Sequence, residues 1–203
     1  MAETKTQTTK ASARKRRADA ERSIASITEA ALEALASDPD ASMAEIARRA
    51  GVVRATVYMH FPTRESLLDA VMEHATGLVA DAIRSAEPNR GQPREALERV
   101  LLATWKQLSQ FHGILAINMA RLSAKELRRR HLPMTTQFLP LLERGQAEGI
   151  FRSDVSAQWL IAVIRAIVHV ASTELQAGRL SQAEVEQTMV TTALAAISQG
   201  DGR

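Results

Sequence analysis

Apolar residues along this chain recur three and four positions apart, and no run sets β-branched residues in alternation with polar ones. A period of 3.6 gathers such residues on one face of a helix, whereas a half-buried strand needs a period of two. Aromatic residues, which strands favour, make up only 3% of the chain. An all-α fold is therefore expected. With 203 residues, 45% of them hydrophobic, the chain can build a real core in one large domain or two small ones.

Composition excludes several kinds of chemistry. The chain has no cysteine, so disulfides, thiolate metal sites and a cysteine nucleophile are impossible, and its five histidines show no paired ligand spacing. No P-loop, GxGxxG or nucleophile-elbow motif is present, so neither an enzyme nor a bound metal or cofactor is expected. The longest apolar run, residues 159–171, is broken by Arg165 and His169, and no apolar leader opens the sequence. A protein of the reducing cytoplasm, without membrane spans, fits these features.

Charge is concentrated at one end. Residues 1–17 carry Lys5, Lys10, Arg14, Lys15, Arg16 and Arg17 against Glu3 alone. A Thr/Lys/Arg-rich segment without apolar periodicity is expected to be a disordered arm that is attracted to polyanions, a solubilising tail being the plainer alternative.

Punctuation divides the rest. A helix over 19–37, with Ile24, Ile27, Ala31 and Leu35 on its buried face, should stop at Asp38-Pro39-Asp40. Ser42 and Glu45 form a capping-box pattern for a short second helix with Met43, Ile46, Ala47 and Ala50 as its apolar stripe. Gly51 then permits a sharp left-handed turn into a third helix over 54–60, and Thr63 caps a fourth. Two short helices joined through a glycine turn form a helix-turn-helix unit, whose second helix enters the DNA major groove. Arg54 and Arg64 stand in the first turns of their helices, where the macrodipole disfavours cations unless a phosphate arrives to meet both.

The segment IARRAGVVRATVYMHFPTRESLLDAV, residues 46–71, resembles the DNA-binding domain of TetR-type transcriptional regulators, and the likeness extends over residues 19–75. The resemblance implies a homodimer whose recognition helices enter successive major grooves of a near-palindromic double-stranded operator, with half-sites roughly 34 to 36 Å apart. It assigns Arg54, Ala55 and Thr56 to base edges, Tyr58, His60 and Arg64 to phosphates, and a further phosphate to the helix start at Ser42 and Met43. Two positions depart from the family pattern: Val53 lacks the capping hydroxyl often found there, and Met59 replaces a larger or polar residue. Residues 18–64 hold five arginines against seven acids, so the arm, through Arg14, Lys15, Arg16 and Arg17, is expected to add phosphate contacts.

The proline- and glycine-rich stretch 86–93 reads as the domain boundary. This gives an arm over 1–17, a DNA-binding domain over 18–64, a connecting helix over 65–85 and a helical effector-binding and dimerisation domain over 86–203. Helices are expected near 94–112, 114–130, 134–148, 156–177 and 182–198, with Pro140 kinking one of them. The basic run KELRRRH, residues 125–131, reads as a solvated helix end. The EGIFRSD segment, residues 148–154, extends the resemblance and implies that the last two helices, rich in alanine, pair in a dimer. Arg165 and His169, four residues apart, read as part of an interfacial or solvated stripe. An effector pocket implied by the family would draw on Trp105, Leu108, Phe111, Met119, Met134, Phe138 and Trp159. The resulting expectation is a sequence-specific repressor released from its operator by a small molecule, the alternatives being an activator or a non-specific architectural DNA-binding protein.

Overall fold

The computed structural model describes residues 2–110 and 123–200. These form eight helices and no strand among the described residues, apart from one isolated antiparallel bridge between Phe151 and Ser198. The chain divides into two compact units, Met1–His74 and Ala75–Arg203.

The first unit holds α1 (Ala2–Ser37), α2 (Met43–Arg49), α3 (Arg54–His60) and the opening half of α4 (Arg64–Ser85). Its core is aliphatic: Ile27, Ala31, Leu35, Ile46, Val57, Leu67 and Val71 are essentially inaccessible to solvent. Ile24, expected on the buried face, is 40% exposed, because burial along α1 begins one turn later at Ile27. The basic residues 1–17 do not form a separate disordered arm here but extend α1 back to Ala2. No glycine or proline interrupts the chain before Pro39, and once a helix is nucleated each further residue adds a hydrogen bond.

Local chemistry explains how the helix-turn-helix is set. Asp38 stops the chain by accepting from the Asp40 amide through its carboxylate and from the Ala41 amide through its carbonyl. The Ser42 hydroxyl caps α2 by accepting from the Glu45 amide at 3.2 Å. The other half of the expected capping box is absent, because Glu45 accepts from Arg48 and Arg49 instead, and charge-assisted bonds outcompete a neutral amide donor. At the far end of α2, Gly51 adopts φ +67°, while Val52 N–H donates to Ala47 O and Gly51 N–H to Arg48 O. This is a Schellman turn, and only its left-handed residue demands glycine. Thr63 and Ser66 cap α4 reciprocally, each hydroxyl accepting from the other's amide.

The second unit contains the rest of α4, then α5 (Pro93–Leu108), α6 (Ala124–Ala147), α7 (Ala157–Gln176) and α8 (Gln182–Ile197). Leu97, Leu101, Trp105, Leu141, Leu142, Phe151, Leu160, Val185 and Ile197 form its centre. The division falls after His74, not in the 86–93 stretch. That loop belongs to the second unit because Arg99 donates to the carbonyls of Ala86, Glu87 and Arg90, and Arg144 to those of Pro88 and Asn89.

The helix α6 corrects two expectations. It runs unbroken through Pro133 and Pro140, where two helices were expected, and it begins at the basic run 125–131 instead of ending there. Each proline removes an amide four residues after a carbonyl, leaving Arg129 O and Thr136 O without their helical donor. Both prolines and both carbonyl-bearing residues are exposed, so water can meet the freed groups. At the helix start Glu126 offsets the cationic charge by accepting from Arg129 and Arg130, which lowers its carboxyl to about 2. The helix α7 is long and apolar enough to cross a membrane by length and composition. It packs instead between α6 and α8, and the full capping box at Ser181 and Glu184 starts α8 as expected.

Candidate DNA-binding surface and ligand cavity

The outward side of α3 presents Arg54, Ala55, Tyr58 and Met59, all exposed, while Val57 anchors the helix from beneath. Arg54 Nη2 donates to Tyr58 Oη at 3.2 Å, and its guanidinium carbon lies 5.2 Å from the ring centroid. The (i, i+4) spacing brings the pair together, so the single tyrosine of the chain holds the arginine along the helix surface.

An open concavity lined by Asp40, Ser42, Met43, Ala44, Arg54, Tyr58 and Arg64 gathers five of the residues expected from sequence to meet DNA. Their roles within it differ. Met43 is buried, so most of its side chain belongs to the core. Arg64 donates to Pro39 O at 3.0 Å and also to Ala41 O, which braces the turn between α1 and α2. Thr56 and His60 are half-buried and lie outside the concavity, as does the exposed Ala55. Asp40 and Ala44 are additions that no side-chain signal marked.

Charge around this surface is partly spent internally. Hydrogen bonds from Arg48 and Arg49 hold the Glu45 carboxyl down to about 2. Arg14 and Arg17 are exposed on the basic extension of α1, with Arg17 Nε 3.1 Å from Glu21 Oε1; Lys15 and Arg16 lie on the same helix.

The start of α3 lacks a side-chain cap, as Val53 at that position leads one to expect: its backbone is extended (φ −75°, ψ 149°) and no side chain accepts from the first-turn amides. Val53 is 70% exposed, so little burial is lost on replacing it. Val53→Ser is expected to stabilise the first unit by about 1 kcal/mol, read as a higher urea midpoint at unchanged slope. A lower midpoint would show that the valine contributes packing that outweighs a cap.

The second unit holds a half-open cavity of about 320 Å³ between α5, α6 and α7. Leu108, Met134 and Phe138 line it, as expected of pocket residues. Trp105 and Trp159 do not: Trp105 is core at 1% exposure, and Trp159, near the start of α7, is 59% exposed. Phe111 and Met119 lie outside the described residues. Arg165 and His169 are exposed, as expected of an interfacial or solvated stripe, and also line the cavity together with Thr104, His131 and Thr135. Their four-residue spacing was visible in sequence, but which neighbour that face of α7 meets was not.

Similarity to known proteins now decides between folds that share such a turn. The profile of "Bacterial regulatory proteins, tetR family" matches residues 27–71, and that of "Tetracyclin repressor-like, C-terminal domain" matches residues 93–187. The chain belongs to the TetR family. Among curated TetR-type relatives, the transcriptional repressor LfrR of Mycolicibacterium smegmatis is 41% identical over 81 residues, covering 40% of this chain and 43% of that protein. The repressor KstR2 of Rhodococcus jostii is 25% identical over 134 residues, covering 63% and 66%. The match thus spans less than two thirds of either relative. A solved structure of LfrR from Mycobacterium smegmatis, in complex with proflavine, superposes with a TM-score of 0.69 at 25% identity, covering 86% of this chain and 96% of that one.

Proposed function

We propose that this chain is a cytoplasmic, homodimeric, sequence-specific DNA-binding transcriptional regulator, acting as a repressor that a small molecule releases from a near-palindromic operator. The observation that carries the reading is the α2–α3 concavity, where Arg54 and Tyr58 stand beside the Ser42-capped start of α2. There the guanidinium and hydroxyl offer charge-assisted and neutral donors to a phosphate or base edge. Arg54, Ala55 and Thr56 are assigned to bases; Tyr58, His60 and the Ser42 and Met43 helix start are assigned to phosphates. Arg64 has two donors occupied by the α1–α2 turn, so its part is to hold that turn in place for the others, with its remaining donors free for a phosphate. The exposed Met59 is suited to a thymine methyl.

The effector role falls to the 320 Å³ cavity, a volume at the low end of the roughly 300–1,000 Å³ of small-molecule sites. A ligand that favours one dimer geometry over another shifts operator affinity by its differential affinity for the two. Proflavine in the LfrR complex sets the precedent of a small organic ligand in a protein of this fold.

Binding to promoter and random DNA at one salt concentration tests the reading, since equal affinities would leave only an architectural DNA-binding protein. The basic extension of α1 favours a non-specific contribution alongside the specific one. Deleting residues 1–17 is expected to flatten the dependence of log K on log salt by about 0.9 for each phosphate contact removed. An unchanged slope would remove Arg14, Lys15, Arg16 and Arg17 from the interface.

A further inference from the structure

We infer that the cavity of the second unit takes an amphipathic organic acid, with its apolar body against α5 and α6 and its carboxylate at Arg165 and His169. The inference rests on reading this cavity as the effector site and goes on to the chemical class of its ligand.

The walls are mainly aliphatic and aromatic, from Leu101, Met134, Phe138 and Ile161, so a ligand must be apolar over most of its surface. The polar lining residues are Thr104, Thr135, His131, Arg165 and His169, and no aspartate or glutamate is among them. Nor does the sequence joining α5 to α6, residues 111–122, contain an acid. A cation entering this site would meet a guanidinium and no carboxylate.

Arg165 and His169 follow each other by one turn of α7 and are both exposed, which sets them at the open rim. Arg165 forms no ion pair or hydrogen bond, and the His169 ring no hydrogen bond, with any of the described residues. The guanidinium fork matches a carboxylate's two oxygens, and an imidazole one turn away can add a third donor. Deeper in, Thr104 Oγ1 is buried without a hydrogen-bond partner among the described residues. That hydroxyl is open to a hydrogen bond from a ligand.

Decanoate, decanol and decylamine share one apolar tail and differ in the charge of the head, so they separate shape from charge. Calorimetric titration of the full-length protein is expected to give decanoate at least tenfold tighter binding than decylamine. Arg165→Met, which keeps the unbranched stem, should bring decanoate down to the level of decanol and leave decanol unchanged, the latter serving as the check that the cavity is intact. Arg165→Lys should keep the preference for the acid over the amine. Decylamine binding as tightly as decanoate, or an acid preference that survives Arg165→Met, overturns the assignment. Operator affinity measured in the same titrations keeps the two readings apart. Decanoate preference without operator release rejects the effector role and leaves the charge assignment standing. Equal binding of all three probes with release rejects the charge assignment alone, and binding by none of them rejects both.

Discussion

Gly145→Ala is expected to destabilise the second unit by about 3 kcal/mol, at the upper end of what overpacking costs. In an open helical position the same change would stabilise by roughly 0.5–1 kcal/mol, since alanine loses less backbone entropy than glycine. Here the added methyl would lie 2.0 Å from Phe151 Cδ2 and 2.3 Å from Cε2. Phe151 has no room to give way. Its ring is fully buried, its amide donates to Gly145 O, and its neighbours are tied to the end of α8 by Arg152 N–H to Ile197 O and Gln199 N–H to Ile150 O. Either the ring or the α8 terminus must move, and each choice opens the core. Gly77, also helical but with nothing within 4 Å of an added Cβ, is the control: Gly77→Ala should raise the urea midpoint where Gly145→Ala lowers it. Adding Phe151→Leu to Gly145→Ala should recover part of the loss by removing the obstructing atoms. A neutral Gly145→Ala would mean that the ring has another place to go.

The contrast between these two glycines shows which features are legible in a sequence. Gly51 announces itself because the surrounding residues explain it locally: a capped helix precedes it, a short helix follows, and the turn needs a left-handed residue. Gly145 sits in the last turn of α6, and its reason lies six residues on, past the end of the helix, in a ring that only tertiary packing brings back. The same division separates Trp105 from Trp159. Both are bulky and apolar in sequence, yet one fills the core and the other is exposed, because a residue's burial depends on which face of its helix has a neighbour. Local chemistry can mislead as well. Pro133 argues for a helix end and Pro140 for a kink, but the packing of Phe138, Leu141 and Leu142 between and after them favours one continuous α6, with the freed carbonyls on exposed residues. The stop expected at 86–93 is a true loop, yet Arg99 and Arg144 fasten it into the second unit, which spacing along the chain gives no way to foresee. The helix-turn-helix is the most legible part, because its signals are helix termini and turns, all local. Even there the burial of Met43 follows from its place on the apolar stripe of α2, whereas the engagement of Arg64 with Pro39 and Ala41 came only with the fold.

Arg54→Ala is expected to weaken operator binding by about 1–3 kcal/mol, roughly fivefold to 150-fold, and to relax discrimination at one or two base pairs. A smaller, sequence-independent loss would move Arg54 to the phosphates. Its contact with Tyr58 makes the test sharper than a single substitution. Tyr58→Phe keeps the ring under the guanidinium but removes the hydroxyl that accepts from Arg54 Nη2 at 3.2 Å. If the hydroxyl's main partner on DNA is a phosphate, the loss should be uniform across operator variants and additive with Arg54→Ala. If the hydroxyl instead aims Arg54 at its base, Tyr58→Phe should relax the same base pairs, and the double variant should be no worse than Arg54→Ala alone. A double-mutant cycle read on matched and mismatched operators separates these outcomes, because residues that act through one contact fail to add. Additivity follows from the phosphate role proposed for Tyr58; a coupling energy confined to the matched operator would transfer that tyrosine from gripping the backbone to positioning the arginine that reads it.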